Sequence, residues 1–360
     1  MASLLILGKG DTAYTDRNMQ RLFTQAQQAG MDVQRCDYGE ISTAPNFRHA
    51  RITVMLFFPF TFWNEHCEAP QDTQLYGTSK RAYELFRDYF LTVQADLARR
   101  YGGSHQLDYV IKPEFAALDR DKIATIEHLK NNGITTTESI ATRDLTAILS
   151  EVTPERGLFI KCRYGAEGKG ITVLRHNQWR TNYQVVGDRL TNYGTNDRWP
   201  FTDITGRREL LHQLLNHEVI VEREILVPNL FVDEKFDIRA YVVGNEVPHF
   251  FMRINAADRV VTNFSQGARI LHHPQTGLDD ACIAKIKKLA LTAAQGFNSQ
   301  FLGVDIIFDG SMDEPRVMEV QTFTDFPDAT KFDLVRYFIG AQVEQLNSRM
   351  IGEMEINARV

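Results

Sequence analysis

The hydrophobic and polar positions at the start of the chain separate short apolar runs from one long amphipathic stretch. An apolar run at 4–7 is followed by a polar helical stretch that reaches about Ala29. Gly30 ends that helix, and apolar runs at 31–36 and 52–58 predict two further strands. Strands that alternate with helices are typical of a parallel sheet, so this part predicts a Rossmann-like α/β domain.

The turn after the first predicted strand has two interpretations. Residues 8–13, GKGDTA, fit the G-x-G-x-x-A pattern of dinucleotide-binding proteins, and Asp37 stands where such proteins place an acid. A tight turn in a parallel sheet also needs glycine for backbone reasons alone. Both interpretations stay open at this point.

A predicted hairpin in the middle of the chain combines a lysine with a glycine-rich loop. Its first strand, 158–162, carries Lys161 among apolar neighbours, and its second strand is 171–174. The loop between them contains Gly165, Gly168 and Gly170. Backbone N–H groups in such a loop can approach an anion closely, so the hairpin could cover a polyphosphate. A Walker A loop is excluded because Gly170, not Ser or Thr, follows Lys169. The alternative for Lys161 is an edge lysine whose ammonium group extends to water.

A second predicted hairpin, at 303–328, places carboxylates inside apolar strands. Asp305 lies on the first arm, and Glu319 and Gln321 lie on the return arm. Glu319 and Gln321 share a strand face because side chains alternate, and Asp305 can face them across the hairpin. Three oxygen ligands of this kind suit Mg²⁺. The alternative is a pair of exposed acids on an edge hairpin.

The rest of the sequence contains an aromatic stretch and predicts further helices and strands. The helical spacing of Phe86, Tyr89 and Phe90 is typical of core residues. Residues 63–66, Trp-Asn-Glu-His, follow the carboxyl end of a strand, where open α/β sheets bind their ligands, and are substrate-pocket candidates. We also predict helices at 121–131, 207–215, 279–298 and 332–351, a strand at 219–225, and a hairpin that turns at 244–245.

Composition excludes several classes of protein. The 360 residues are 43% hydrophobic, enough for two or three domains, and the net charge of -6 is not that of a nucleic-acid binder. The four cysteines form no metal-binding or disulfide pattern, which indicates reduced thiols in a cytoplasmic protein. No run approaches the roughly 18 apolar residues of a membrane span, and the N-terminus lacks the features of a signal peptide. We expect no nucleic-acid or membrane partner.

From about 108 to 328 the sequence resembles the ATP-grasp superfamily. The landmarks, in order, are the strand lysine, the glycine loop, VIVEREI, DIRAYVVGNEV, TNFSQGA, GVDII and VMEVQ. Within that superfamily the pattern is similar to the ribosomal-protein-S6 glutamate ligases and glutathione-synthetase-like ligases. The resemblance implies a Rossmann-like domain at 1–118, followed by two α+β subdomains that clamp ATP between them. These are a lid subdomain at 119–225 and a metal-carrying C-terminal subdomain at 226–360.

The resemblance also implies a role for individual residues. Lys122, Lys161, Lys169 and the loop glycines would contact or cover the ATP phosphates, and Glu222, Arg223 and Ile225 would hold the adenine. Arg239, Arg253 and Asn263 would act on the transferred phosphate. Asp305, Glu319 and Gln321 would bind Mg²⁺, with Mn²⁺ as an alternative. On their spacing alone, Arg239 and Arg253 could be surface arginines, and 222–224 could be a solvated strand end.

The implied activity is an ATP-dependent ligase that joins a carboxylate to an amine through an acyl phosphate. Its partners would be small-molecule or peptide acids and amines, and homo-oligomerisation is left open. Two positions depart from the family pattern: Gln321 replaces an asparagine, and Gln266 stands where these ligases often carry arginine. A nucleotide-binding protein with altered or lost ligase chemistry is therefore the alternative, and a dinucleotide-dependent enzyme is a third hypothesis.

Overall fold

A computed structural model describes residues 3–68, 74–194, 198–227, 230 and 232–357. The expected domain ranges also include residues 1–2, 69–73, 195–197, 228–229, 231 and 358–360, which lie outside the described residues. The described part of the chain contains three larger sheets, one each in its N-terminal, middle and C-terminal parts. The middle part also contains a separate two-stranded ribbon.

The N-terminal part is a parallel α/β unit, as the sequence predicts. Its four strands pair in the order β2-β1-β3-β4, and every pairing is parallel. Strand β1 is buried along its whole length, which accounts for its continuous apolar sequence. The elements are β1 (Ser3–Leu7), α1 (Ala13–Gln28), β2 (Asp32–Cys36), β3 (Arg51–Leu56), α2 (Phe60–Trp63), α3 (Lys80–Tyr101) and β4 (Gln106–Tyr109).

The polar residues of the glycine turn after β1 form local contacts. Thr12 caps α1, and its hydroxyl accepts a hydrogen bond from the Thr15 amide at 3.0 Å. The Asp11 carboxylate accepts hydrogen bonds from the Thr61 amide at 2.7 Å and the Thr61 hydroxyl at 3.0 Å. Asp37 accepts from the Gly39 amide at 3.0 Å and caps a short 3₁₀ helix. These contacts stabilise the loops at the carboxyl edge of the sheet.

The middle part contains a six-stranded antiparallel sheet. Its strands pair in the order β11-β8-β7-β6-β12-β5. The predicted strand at 219–225 ends at Arg223, although the Glu224 amide still donates to the Gly157 carbonyl at 2.9 Å. The elements are α4 (Pro113–Ala116), α5 (Lys122–Asn131), β5 (Ser139–Ile140), α6 (Leu145–Ser150), β6 (Leu158–Cys162), β7 (Ile171–Arg175), β8 (Gln178–Thr181), β9 (Gln184–Val186), β10 (Arg189–Thr191), β11 (Thr202–Asp203), α7 (Arg208–Leu215) and β12 (Val219–Arg223).

The C-terminal part contains a five-stranded antiparallel sheet. Its strands pair in the order β15-β14-β13-β16-β17. The predicted hairpin that turns at 244–245 connects β13 to β14. The predicted helix at 279–298 is present at 280–296. The elements are β13 (Glu234–Val243), β14 (Glu246–Ala256), β15 (Arg269–His272), α8 (Asp280–Gly296), β16 (Phe301–Phe308), β17 (Pro315–Gln321) and α9 (Leu334–Asn357).

The two faces of the C-terminal sheet differ in chemistry. Phe236, Ile238 and Ala240 alternate along β13 and pack into a core with Ile286 and Ala290 of α8. The residues between them in sequence point to the opposite face because strand side chains alternate. That opposite face carries the charged residues of the candidate site.

Two helices pack away from the sheet nearest to them in sequence. Helix α5 adds Leu129 to the core of the C-terminal sheet. Helix α9 contacts α1, and its Leu334, Val335 and Phe338 lie in the core of the N-terminal part. Helix α9 was predicted at 332–351 and instead spans 334–357, because strong helix formers continue after Gly352.

No helix within the described ranges is long and apolar enough to cross a bilayer. The four cysteines all lie within these ranges, and all are free; Cys36, Cys162 and Cys282 are buried.

Candidate active site

The predicted carboxylate hairpin is formed by β16 and β17. Asp305 pairs directly with Glu319, and Gly303 pairs with Gln321, so all three predicted metal ligands lie on one face. This confirms that the two acids face each other across the hairpin. One feature was not predicted: the register shifts after Asp305, which leaves Met318 as an extra residue in β17. This bulge turns both Met318 and Glu319 toward the cavity described below.

Two arginines reach Asp305 from the neighbouring strands. Arg239 of β13 pairs with it in register and donates to both of its carboxylate oxygens, with Nη2 to Oδ2 at 3.1 Å. Arg253 of β14 lies 3.1 Å from the same Oδ2. Arg253 also donates two hydrogen bonds to Asp237, at 2.6 and 2.8 Å, and Arg239 donates to Asp325 at 2.6 Å.

These groups form a row of alternating charge across three strands. The side chains of Asp237, Arg239, Arg253 and Asp305 are each less than 10% exposed. Burial would raise the pKa of Asp305, but Arg239 and Arg253 hold it below its ordinary value. Buried charges of this kind need partners on all sides, and the row supplies them. Arg239 and Arg253 are therefore buried and fixed, which excludes their interpretation as surface arginines.

Lys161 of β6 forms a buried ion pair with Glu222 of β12. The distance from Nζ to Oε2 is 2.5 Å, and the other carboxylate oxygen accepts from the Thr137 hydroxyl at 2.5 Å. Glu222 is 3% exposed. Burial would raise the pKa of Glu222, but the Lys161 ammonium and the Thr137 hydroxyl hold it below its ordinary value. The pairing excludes a water-exposed edge position for Lys161 and a solvated strand end for Glu222.

Lys122, at the start of α5, lies between the glycine loop and the carboxylate hairpin. Its Nζ donates to the Gly165 carbonyl at 2.5 Å and lies 3.4 Å from Glu319 Oε1. Burial would lower the pKa of Lys122, but the Glu319 carboxylate raises it above its ordinary value. Asp121 caps α5 and also binds Arg163 through two hydrogen bonds of 2.8 Å. The contacts fix Lys122 beside the loop.

The glycine loop joins β6 to β7, as predicted. Gly168 and Gly170 have φ near +70°, a conformation that side-chain-bearing residues rarely adopt. A Cβ at Gly168 would lie 3.0 Å from Oδ1 of Asn263, and one at Gly170 would lie 2.6 Å from Sγ of Cys162. Glycine is therefore needed at both positions, and the loop brings Asn263 close to the other predicted site residues.

Lys169 ties the loop to the N-terminal part. Its Nζ lies 2.6 Å from Glu68 and 3.0 Å from Glu167. Glu68 also accepts a hydrogen bond from Trp63 Nε1 at 2.7 Å. Burial would lower the pKa of Lys169, but these carboxylates raise it above its ordinary value.

A cavity of about 300 Å³ lies between the six-stranded and five-stranded sheets. Glu222, Arg223 and Ile225 line one side of it. Arg223 also pairs with Glu151 at 2.9 Å. The other predicted residues that line this smaller cavity are Lys122, Lys161, Gly168, Lys169, Asn263 and Glu319.

A second cavity, of about 990 Å³, adjoins the first and opens toward the N-terminal part. Arg239, Arg253, Gln321 and Asn263 line this larger cavity, together with several aromatic rings. Glu319, Asn263 and Lys169 line both cavities. The structure thus brings most of the predicted residues into two adjoining spaces, whereas Asp305, Gly165 and Gly170 line neither of them.

The substrate-pocket candidates at 63–66 separate into two pairs. Trp63 and Asn64 line the larger cavity, whereas the side chains of Glu65 and His66 are at least half exposed and point elsewhere. Phe86 and Phe90 are fully buried core residues, as their spacing predicts, and Tyr89 packs against the same core.

Sequence reasoning missed several residues of the site. Asp237 precedes Arg239 by two positions in β13, so strand periodicity could have revealed it. Glu224, which pairs with Arg175 at 2.7 Å, lies within the motif that was singled out. Glu68, Arg120 and Asp325 reach the larger cavity from a π-helical turn, a 3₁₀ helix and a loop, and no local pattern marks them.

The three predicted metal ligands carry the type of oxygen donor that Mg²⁺ prefers. Asp305, Glu319 and Gln321 share a face, and Glu319 is about one-third exposed toward the cavities. Both oxygens of Asp305 bind arginine, so Glu319 is the freer carboxylate. No cluster of three or more His, Cys, Asp or Glu residues suited to a metal occurs in the part of the chain that the structure describes.

The fold is that of the ATP-grasp ligases. The ATP-grasp ligase PsnB with its minimal precursor superposes with a TM-score of 0.56 at 15% identity, over 96% of this chain and 99% of that one. D-cycloserine synthetase DcsG gives 0.55 at 14% identity, over 96% and 100%. The ATP complex of D-alanine–D-alanine ligase from Bacillus anthracis gives 0.55 at 12% identity, over 98% and 99%.

A curated relative matches part of the sequence. The chain is 29% identical over 182 residues to the tetrahydromethanopterin:alpha-L-glutamate ligase of Methanosarcina acetivorans. The match covers 50% of this chain and 47% of the relative, so the chain spans about half the length of the curated relative that it matches. No protein-family model matches the sequence.

Proposed function

We propose that this protein is an ATP- and Mg²⁺-dependent carboxylate–amine ligase that forms an amide bond through an acyl phosphate and releases ADP and phosphate. The observation that carries the proposal is the smaller cavity, where Lys122, Lys161, Glu222 and Glu319 converge between two sheets. The names of the structural neighbours and of the curated relative, all ligases or synthetases, support the same class.

The smaller cavity would bind the nucleotide. Lys122 and Lys161 carry the positive charge that suits phosphate groups, and the glycine loop with Lys169 would cover them. The segment 222–225, with Glu222, Arg223 and Ile225, would contact the adenine. This division follows from the position of Lys122 beside Glu319 and the loop. Lys161 would lie between the two ends, because its ammonium group pairs with Glu222.

Arg239, Arg253 and Asn263 would stabilise the transferred phosphoryl group and the acyl phosphate. The acids around the two guanidinium groups hold them in place before any substrate binds. Fixed charges of this kind stabilise charge that develops in a transition state without a cost of reorganisation. The substrate carboxylate, as nucleophile, would enter through the larger cavity, which these arginines line.

Asp305, Glu319 and Gln321 would hold Mg²⁺, or Mn²⁺ as an alternative. Such ions supply positive charge that neutralises the phosphate oxygens during phosphoryl transfer. The amide of Gln321 lies one methylene further from the backbone than the amide of an asparagine would. Glutamine at this position would therefore weaken one contact to the ion.

An acyl phosphate must be protected from water until the amine attacks. The loop at 163–170 would serve as the cover. The substrates would be small-molecule or peptide acids and amines, and the free cysteines support a cytoplasmic location.

The test is an incubation with ATP, Mg²⁺ and panels of acid and amine pairs. The expected products are ADP, phosphate and an amide. Release of AMP and pyrophosphate would contradict the acyl-phosphate scheme. A thermal shift with NAD(P)H and none with ATP and Mg²⁺ would favour the dinucleotide hypothesis instead.

A second candidate is an ATP-binding protein whose ligase chemistry has been altered or lost. Its specific support is the engagement of both Asp305 oxygens by arginine, together with Gln321. Saturable ATP binding without turnover across the whole panel would favour this candidate.

A further inference from the structure

The larger cavity contains an arginine that the proposed chemistry does not use. Arg120 ends the short 3₁₀ helix at 118–120, and its side chain is 16% exposed. Its guanidinium carbon lies 5.1 Å from the centre of the Phe58 ring and 5.4 Å from that of Trp63. The two rings hold the guanidinium group at the cavity wall by cation–π contact.

The guanidinium group of Arg120 donates no hydrogen bond to another described residue. Within the described ranges, which omit 69–73, its buried Nε donates no hydrogen bond. The nearest carboxylate oxygen, Oδ1 of Asp119, lies 3.6 Å from Nε, which is too long for a hydrogen bond, and is itself without one. Oδ2 of Asp119 accepts instead from the Thr322 amide at 3.1 Å.

Arg120 differs in its hydrogen bonds from the other two arginines that line the larger cavity. Arg239 and Arg253 each donate two hydrogen bonds to a single aspartate. An arginine held by apolar ring faces and lacking such a partner has its planar donor fork available for a ligand. Arg120 Nε is covered by protein, so the donors that a bound oxygen anion can reach are the two terminal nitrogens at the cavity wall.

The wall beside Arg120 is aromatic. Phe58 packs against Trp63 and Phe323, with ring centres 5.7 and 5.5 Å apart, and all three rings line the larger cavity. The volume of about 990 Å³ is enough for a ligand larger than a single small acid. A ligand that reaches the guanidinium group therefore contacts apolar surface around it.

We propose that Arg120 anchors a substrate carboxylate and that the surrounding rings select an aromatic or bulky aliphatic group next to it. This carboxylate is separate from the one that is activated beside Arg239 and Arg253. The inference rests on the proposed function for its place in the reaction, because it defines the class of one of the two substrates. The anchoring contact itself can be measured without turnover.

The experiment is isothermal titration of the full chain, with and without ADP and Mg²⁺. The probes are L-phenylalanine, 3-phenylpropanoate, L-phenylalaninamide, glycine and phenyl phosphate. Both aromatic carboxylates should bind, and the amide and glycine should each bind at least tenfold more weakly. Equal binding of L-phenylalanine and its amide, or no binding of either carboxylate, would overturn the proposal. Tighter binding of phenyl phosphate would assign the site to a phosphate instead.

The variants separate this contact from effects on folding. Arg120→Gln should lower the affinity for 3-phenylpropanoate at least tenfold and leave the affinity for ADP unchanged, and Arg120→Lys should recover part of the loss. Arg99→Gln is the matched control, because Arg99 is 75% exposed on α3 and pairs with Asp96 at the surface. Discrimination that survives in Arg120→Gln would contradict the proposal. Failure of ADP to bind the unmodified protein would instead count against the proposed ligase.

Discussion

The two cavities of this protein show two ways to place a cation. In the smaller cavity, Lys161 and Lys122 each lie within ion-pair distance of a carboxylate, from Glu222 and Glu319. In the larger cavity, Arg120 lies between aromatic rings and 3.6 Å from Asp119, and its side chain donates no hydrogen bond to another described residue. A cation that already donates hydrogen bonds is fixed before binding, whereas an arginine without such acceptors keeps its donors for a ligand.

This difference predicts different responses to substitution. Removing one member of a buried ion pair leaves the other charge without compensation, so stability and activity change together. Removing a ring-held arginine should change ligand selection with less effect on folding.

Lys161→Met should have the largest effect, on both turnover and stability. We expect ATP turnover, measured as ADP release, to fall by about 100-fold or more, because a fixed charge at the phosphates is lost. The unpaired Glu222 should also lower the free energy of unfolding by about 3 kcal/mol, measured by urea denaturation.

The double variant Lys161→Met, Glu222→Gln separates these two effects. It should regain much of the lost stability because no buried charge is left alone, and turnover should stay low. Undiminished turnover in Lys161→Met would remove Lys161 from the site. Equal stability of the single variant and the unmodified protein would show that the pair is not fixed as described.

Gly168→Ala should have an intermediate effect, and it tests the loop between the two cavities. The positive φ alone should cost about 1 kcal/mol of stability. The added Cβ should also displace Asn263, and the displacement should slow turnover about tenfold.

Gly187→Ala is the matched control for this change. Gly187 has a φ of +58°, and a Cβ there would meet nothing within 4 Å. It should therefore lose similar stability and keep full turnover. If both variants slowed turnover equally, the contact with Asn263 would be irrelevant.

The smallest expected effect concerns Lys235, which also lines the smaller cavity. Its Nζ donates to the Val260 carbonyl at 2.7 Å, and burial, reinforced by Arg175, lowers its pKa from 10.5 to about 8. The unfolded chain therefore holds more protons than the folded one between about pH 8 and pH 10.5. For this group, stability rises with pH across that window.

Urea denaturation at about pH 7.5 and about pH 9.5 measures this effect. The free energy of unfolding of the unmodified protein, relative to Lys235→Met, should increase between the two values. Lys80→Met, at a side chain that is 68% exposed, is the control and should show no such trend. A relative decrease would contradict the sign derived from the burial of Lys235.

Much of the fold and of the smaller cavity could be predicted because their signals lie within single strands. Lys161, Asp305 and Glu319 are conspicuous as charged residues in apolar runs, and a buried charge needs a partner. Local patterns also predicted the glycine loop, from its glycines, and the parallel N-terminal sheet, from its alternating strands and helices.

The rest depends on contacts between residues far apart in sequence. Nothing local to Arg120 indicates that Phe58 and Trp63 will pack on its guanidinium group, or that Glu68 will reach Lys169. Periodicity also does not show which apolar surface α9 packs against, so its contact with α1 could not be predicted.

The extra residue in β17 has a consequence for how this site can change in evolution. Val317 and Val320 both lie in the core, and Met318 and Glu319 between them both face the cavity. A deletion of one residue there would turn Glu319 away from Asp305, whereas many side chains at 318 would preserve the geometry. The presence of a residue at position 318 therefore matters more than its type. An alignment of distant sequences should first match the number of residues between the two core valines, and only then compare residue types.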